Sequence, residues 1–203
     1  MDNSKKSCID IREEYKNYAP PINATAVIQE LINHIPEKYL TGLNHIFLTN
    51  FSGQPGKRRH EKIKSRKRKV KVSDSYGMYH SNPKGQANKA WIEIFADNIL
   101  NECPKELLKN PFFSDLIFAK TLYHEIGHHI HRTMRPWRRE DPENIADEWR
   151  DKFTRSFIKE KYSPEKLKTY SIEVQESLEK IFGKENLEEM AKQENYNFNF
   201  TKI

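Results

Sequence analysis

The sequence predicts an α+β fold: a short twisted mixed sheet of three or more strands, a long helix against it, and further helices toward the C-terminus. Three observations predict it. Runs rich in β-branched and aromatic residues occur between positions 44 and 96. A stretch beginning at Phe112 repeats apolar residues at three- and four-residue steps. Two later segments each open on a capping residue followed by proline.

The elements follow in order. Residues 23–34 read as an amphipathic helix with Val27 and Leu31 inward, ended near Pro36. Residues 44–49 form a strand, and 70–80 and 90–96 two more, joined by the turn-rich 81–86. The segment 75–80 is the candidate for an open sheet edge, which can bind an extended peptide through its backbone. Asn110 caps the next helix and Pro111 takes its first position, with Phe112, Leu116, Ala119, Leu122, Ile126 and Ile130 on the buried face. Asp141-Pro142 opens a second helix carrying Ala146, Trp149, Phe153 and Phe157. Ser163-Pro164 opens a third, with Leu167, Tyr170, Val174, Leu178 and Ile181 as a stripe expected to pack on the core, and Gly183 as its stop. At 203 residues the chain suits one domain: residues 21–183, with 1–20 as an N-terminal extension and 184–203 as a tail.

The chemistry is concentrated in His124-Glu125-Ile126-Gly127-His128, an HExxH on the long helix. Two histidines four residues apart share a face, about 5–6 Å apart at Cβ, so both imidazoles reach one ion. Glu125 is turned away from that line and can face a water instead. A catalytic zinc site needs a third protein ligand and one open position. Glu143, in the first turn of the next helix, is assigned as that ligand. Asp147, one turn on, would accept a hydrogen bond from the other nitrogen of a ligand histidine, His124 in particular, and fix its tautomer. Asp141, Glu140 and Glu148 are the alternative acidic ligands. His131 lies about 10.5 Å along the axis from His124, too far to share the ion, and is expected to pack at the helix end. One Zn²⁺ per chain is expected rather than Mg²⁺ or Ca²⁺, because two of the three ligands are imidazoles.

HExxH followed by a helix carrying Glu143-x-x-x-Asp147 resembles the gluzincin metallopeptidases, and with His131 and Trp149 it is similar to the small ImmA/IrrE-type members. The match covers about forty residues, from Leu122 to Phe157; Asp147 stands where those small members usually have Asn. The resemblance implies a minimal zincin-like fold and hydrolysis of a peptide bond, by an endopeptidase more than an exopeptidase. Glu125 is then the catalytic general base. Tyr79 or His80, on the expected edge strand, are the candidates for substrate or oxyanion contact.

Net charge is +6, but ten Lys or Arg and one Glu between positions 57 and 71 carry +9, leaving −3 for the rest. Lys57, Arg58, Arg59, Arg66, Lys67, Arg68 and Lys69 are the candidates for binding nucleic acid or another polyanion. The run, a loop or an extended hairpin between strands, has no interleaved aromatics for stacking on bases. A solvated, mobile loop is thus an equal reading to nucleic-acid binding, and a segment that guards the cleft or recognises acidic substrate regions is a third. The alternative function is therefore a nucleic-acid-associated or regulatory protein, catalytically inactive or cutting a single protein partner. No run approaches the ~18 apolar residues of a membrane span, and the N-terminus lacks a signal-peptide core, so a cytoplasmic location and no membrane partner are expected. Cys8 and Cys103 show no paired spacing, which argues against a disulfide framework or a cysteine metal site.

Overall fold

The computed structural model describes residues 9–59, 61–65, 68–81, 90–101, 103–134 and 141–187. In chain order the first half holds β1 (Asp10–Glu14), α1 (Ala24–Asn33), β2 (Leu43–Thr49), α2 (Gly56–Arg59), β3 (Lys62–Ser65), β4 (Arg68–Lys71) and β5 (Gly77–His80). Then come β6 (Ala90–Phe95), α3 (Ala96–Asn101), α4 (Pro111–Met134), α5 (Pro142–Lys161) and α6 (Pro164–Phe182). The architecture is α+β. Four strands form a mixed sheet in the order β1-β2-β6-β5, parallel at its first two junctions and antiparallel between β6 and β5.

Strand alternation sorts β2 and β6 into two faces. Ile46, Leu48, Ile92 and Ile94 are fully buried on one of them, in a common core with Ile28 and Leu31 of α1 and Phe118, Leu122 and Ile126 of α4. Tyr123 anchors α4 further, its hydroxyl donating to the Leu31 carbonyl at 3.2 Å. The helix ends follow the sequence: Asn110 accepts from the Phe113 amide, Asp141 from the Glu143 amide and Ser163 from the Lys166 amide. Gly183 ends α6 with a φ of 78°, a conformation that favours glycine.

Three expectations are corrected. Residues 10–14 are not an extension but the parallel edge strand β1; their sequence, Asp-Ile-Arg-Glu-Glu, is almost wholly exposed and has no alternation to betray a strand. Residues 70–80 are not one strand. A 3-10 turn at Val72–Asp74 interrupts them, because Val72 is buried with Phe51 and Phe95 while the Asn98 amide group donates to the carbonyls of Ser73 and Ser75. Of the two forms open to the basic segment, loop or extended hairpin, the chain takes the hairpin: α2 leads into the antiparallel pair β3–β4. The stripe of α6 is also less buried than expected, since Val174 alone among the described residues of that helix is fully covered. Leu167 and Tyr170 pack at the core's margin, and Ile181 is 40% exposed. Positions 82–86 of the expected turn and 188–203 of the tail lie outside the described residues.

Candidate metal centre

The site is made where α4 and α5 touch. Gly127 is the notch: a Cβ there would stand 2.6 Å from Ala146 Cα and 2.8 Å from the Ala146 carbonyl oxygen, so only glycine admits the second helix this closely. That contact brings the first turns of α5 against the HExxH turn of α4. Ile145, Trp149 and Phe153 then close the seam below, with Trp149 and Phe153 stacked at 5.2 Å.

Three side chains converge there. His124 Nε2 and His128 Nε2 are 3.1 Å apart, and the Glu143 carboxylate lies 3.5 Å from the first and 3.8 Å from the second. Their ligand atoms all fall within 4.8 Å of one another, a group that could hold a metal ion. His124 Nδ1 meets Asp147 Oδ1 at 3.0 Å, and Arg150 Nη1 donates to the same oxygen at 2.7 Å. With Nδ1 donating to Asp147, the Nε2 lone pair of His124 faces the group's centre. Burial pulls the His128 imidazole down to about 4, with His124 and His131 acting in the same direction, so at neutral pH it carries no charge and keeps a lone pair for a ligand bond. Asp141 is occupied as the α5 cap and Glu148 is exposed; Glu140 lies outside the described residues. His131 is buried, and its Nε2 has no hydrogen-bond partner among the described residues.

Glu125, next to His124 on the same helix turn, is buried under the edge strand β5. Gly77 permits this: a Cβ there would stand 2.9 Å from Thr121 Cγ2 and 3.0 Å from Glu125 Cγ. The Tyr79 backbone lies close enough to the Glu125 carboxylate to favour its charged form. Burial pushes that carboxyl up to about 8; the Tyr79 backbone opposes the shift and the Glu143 carboxylate adds to it.

The side chains of Tyr79 and His80 depart from expectation. Neighbouring residues of a strand point to opposite faces, so the two cannot both reach α4. Tyr79 faces it, but its hydroxyl donates to His129 Nδ1 at 3.3 Å, while His129 Nε2 donates to the Thr41 carbonyl at 3.1 Å. His80 lies on the far face, stacked on Trp91 at 3.7 Å with Nε2 at 3.3 Å from Glu93. What β5 brings to Glu125 is its backbone rather than either side chain. Arg58, read as a polyanion contact, also turns inward and pairs with the buried Glu93 carboxylate. Burial pushes the other way, but hydrogen bonds from His80 and Arg58 hold Glu93 below its ordinary value. Lys57 is exposed; Arg66 and Lys67 lie outside the described residues, as do the side chains of Arg59, Arg68 and Lys69.

Gly77, Gly127, His129 and Arg150 support the site without having been singled out from the sequence. Only Gly127 carried a signal there, as the small residue inside HExxH on a helix that had to meet a partner. Comparison with protein-family models, curated proteins and solved structures gives no match to this chain. Among the described residues no helix is long and apolar enough to cross a membrane.

Proposed function

We propose that this protein is a zinc-dependent metallopeptidase, with His124, His128 and Glu143 as the ligands of one Zn²⁺ and Glu125 as the general base. The observation that carries the reading is the convergence of two imidazole lone pairs and a carboxylate beside a second, buried carboxylate. Such acceptor atoms repel one another unless a proton or a metal ion lies between them. The donor set fits zinc: tetrahedral ligands ~2.0–2.1 Å from the ion stand about 3.3 Å from each other, close to the 3.1, 3.5 and 3.8 Å separations of these atoms. Two imidazoles in three ligands disfavour Mg²⁺ and Ca²⁺.

When bound, Zn²⁺ supplies Lewis acidity, polarising a carbonyl and bringing the pKa of water toward ~7. The rest belongs to the chain. Asp147, braced by Arg150, orients the His124 ring. Glu125, buried under β5, accepts a proton from the attacking water and delivers one to the departing amine. The outer edge of β5 is the nearest strand on which an extended peptide can align.

The direct test is hydrolysis of casein and of a mixed peptide library by the wild type and by Glu125→Gln. Cleavage by the wild type, a loss of about 10²–10⁴-fold in the variant and equal zinc content in both are expected. Full proteolysis by Glu125→Gln would rule out the assigned role. A wild type that spares casein but makes a defined cut in one protein favours a regulatory peptidase with a single partner.

A further inference from the structure

The sheet face turned away from α1 and α4 carries a second surface, separate from the metal-ligand group. Register puts His45 and Phe47 of β2, Trp91 and Glu93 of β6, and His80 of β5 on it. His45, Phe47, Trp91 and His80 remain partly exposed, whereas Ile46, Leu48, Ile92 and Ile94 of the opposite face are wholly covered. The four rings form one tract across three strands. His80 lies flat on Trp91 with ring centroids 3.7 Å apart, Trp91 meets Phe47 edge to face at 5.2 Å, and Phe47 meets His45 at 4.7 Å. The Arg12 guanidinium lies 5.9 Å over the Phe47 ring.

The most basic segment of the chain is rooted on this same face. Arg58 of α2 reaches Glu93, and Val72, just past the hairpin, is buried against Phe95 of β6 with Met78 of β5 beside it. Residues 57–71, Arg58 among them, carry the net +9, and Lys57, Lys62 and Lys71 are exposed. Of the acidic groups close to the aromatic tract, Asp10 is matched by Arg12 and Glu93 by Arg58 and His80, while the exposed Glu14 of β1 also acts on His45. Partly exposed rings on an open sheet face, bordered by a concentration of cations, are what unstacked bases joined by phosphates require. A duplex hides the base faces and leaves the rings without a partner. We propose that this face binds single-stranded nucleic acid, the bases stacking on the His45–Phe47–Trp91–His80 tract while the basic hairpin neutralises the backbone. The basic run lacks aromatics of its own; β2, β5 and β6 supply them.

Fluorescence anisotropy on the full chain tests this, with labelled 20-mers of uridine ribonucleotide and of thymidine, and a mixed-sequence duplex as control. Binding of a single strand in preference to the duplex is expected, and the tighter of the two 20-mers identifies RNA or DNA as the source. Trp91→Ala should weaken binding by about tenfold or more while Trp91→Phe preserves it. Replacing Lys57, Lys62 and Lys71 with Gln should flatten the log–log salt dependence, by about 0.7 for each phosphate that is no longer neutralised. Glu125→Gln should bind as the wild type does, which separates this surface from the peptidase reading. Should Trp91→Ala not fold, quenching of Trp91 by bound strand in a Trp137→Phe/Trp149→Phe background gives the same answer. Equal affinity for duplex, no binding at all, a folded Trp91→Ala with unchanged affinity, or an unquenched Trp91 would each overturn the proposal.

Discussion

Helices α5 and α6 each begin with a capping residue and a proline, and each carries an apolar stripe at helical spacing, yet they end in different relations to the body. Helix α5 buries Ile145, Ala146, Trp149, Phe153, Phe157 and Ile158 and lies hard against α4. Helix α6 fully buries Val174, with Leu167 and Tyr170 at the margin, and leaves Ile172 and Ile181 at 47% and 40% exposure. The difference lies in the partner surface. Helix α4 offers α5 a glycine at the crossing point, so backbones meet and the polar first turns are carried to the histidines. An apolar stripe names the side of a helix that can be buried; the complementary notch decides whether it is and how closely.

If function is confined to the α4–α5 seam, damage there should be costly and damage to the outer part of α6 nearly silent. Asp147→Ala removes the carboxylate that orients His124 and should lower zinc affinity by about 10–100-fold, measured by competition with a chromophoric chelator. Unchanged affinity would mean that the His124 ring is held by something other than α5. Gly127→Ala should cost about 1–3 kcal/mol in urea unfolding. Because the obstructing atoms are the Ala146 backbone, Ala146→Gly should not restore the loss. Rescue by that second change would show that the helices are not in backbone contact. Ile181→Ser, at the exposed end of α6, should change stability by no more than about 0.5 kcal/mol; a much larger loss would mean that α6 is docked along its whole length.

How much was legible beforehand depended on whether the signal was local. The helix caps at Asn110, Asp141 and Ser163, the pairing of His124 with Asp147 and the approach of Glu143 to the two histidines all followed from spacing on single helices and from one assumed helix–helix contact. What escaped was non-local. Strand β1 is polar and exposed, so no alternation announced it; pairing with β2 makes it a strand. Tyr79 and His80 looked interchangeable in sequence, but the two-residue repeat of a strand commits them to opposite faces. Arg58 read as a free cation in a basic run, although Glu93, thirty-five positions away, lies buried within its reach. The aromatic tract was invisible because its members come from three strands and meet only when the sheet forms.

The most direct measurement is zinc per chain, by elemental analysis of the purified wild type and of Glu143→Ala. The wild type should carry one equivalent and the variant well under half of that. A wild type without zinc, or a variant that retains a full equivalent, would contradict a centre built from His124, His128 and Glu143.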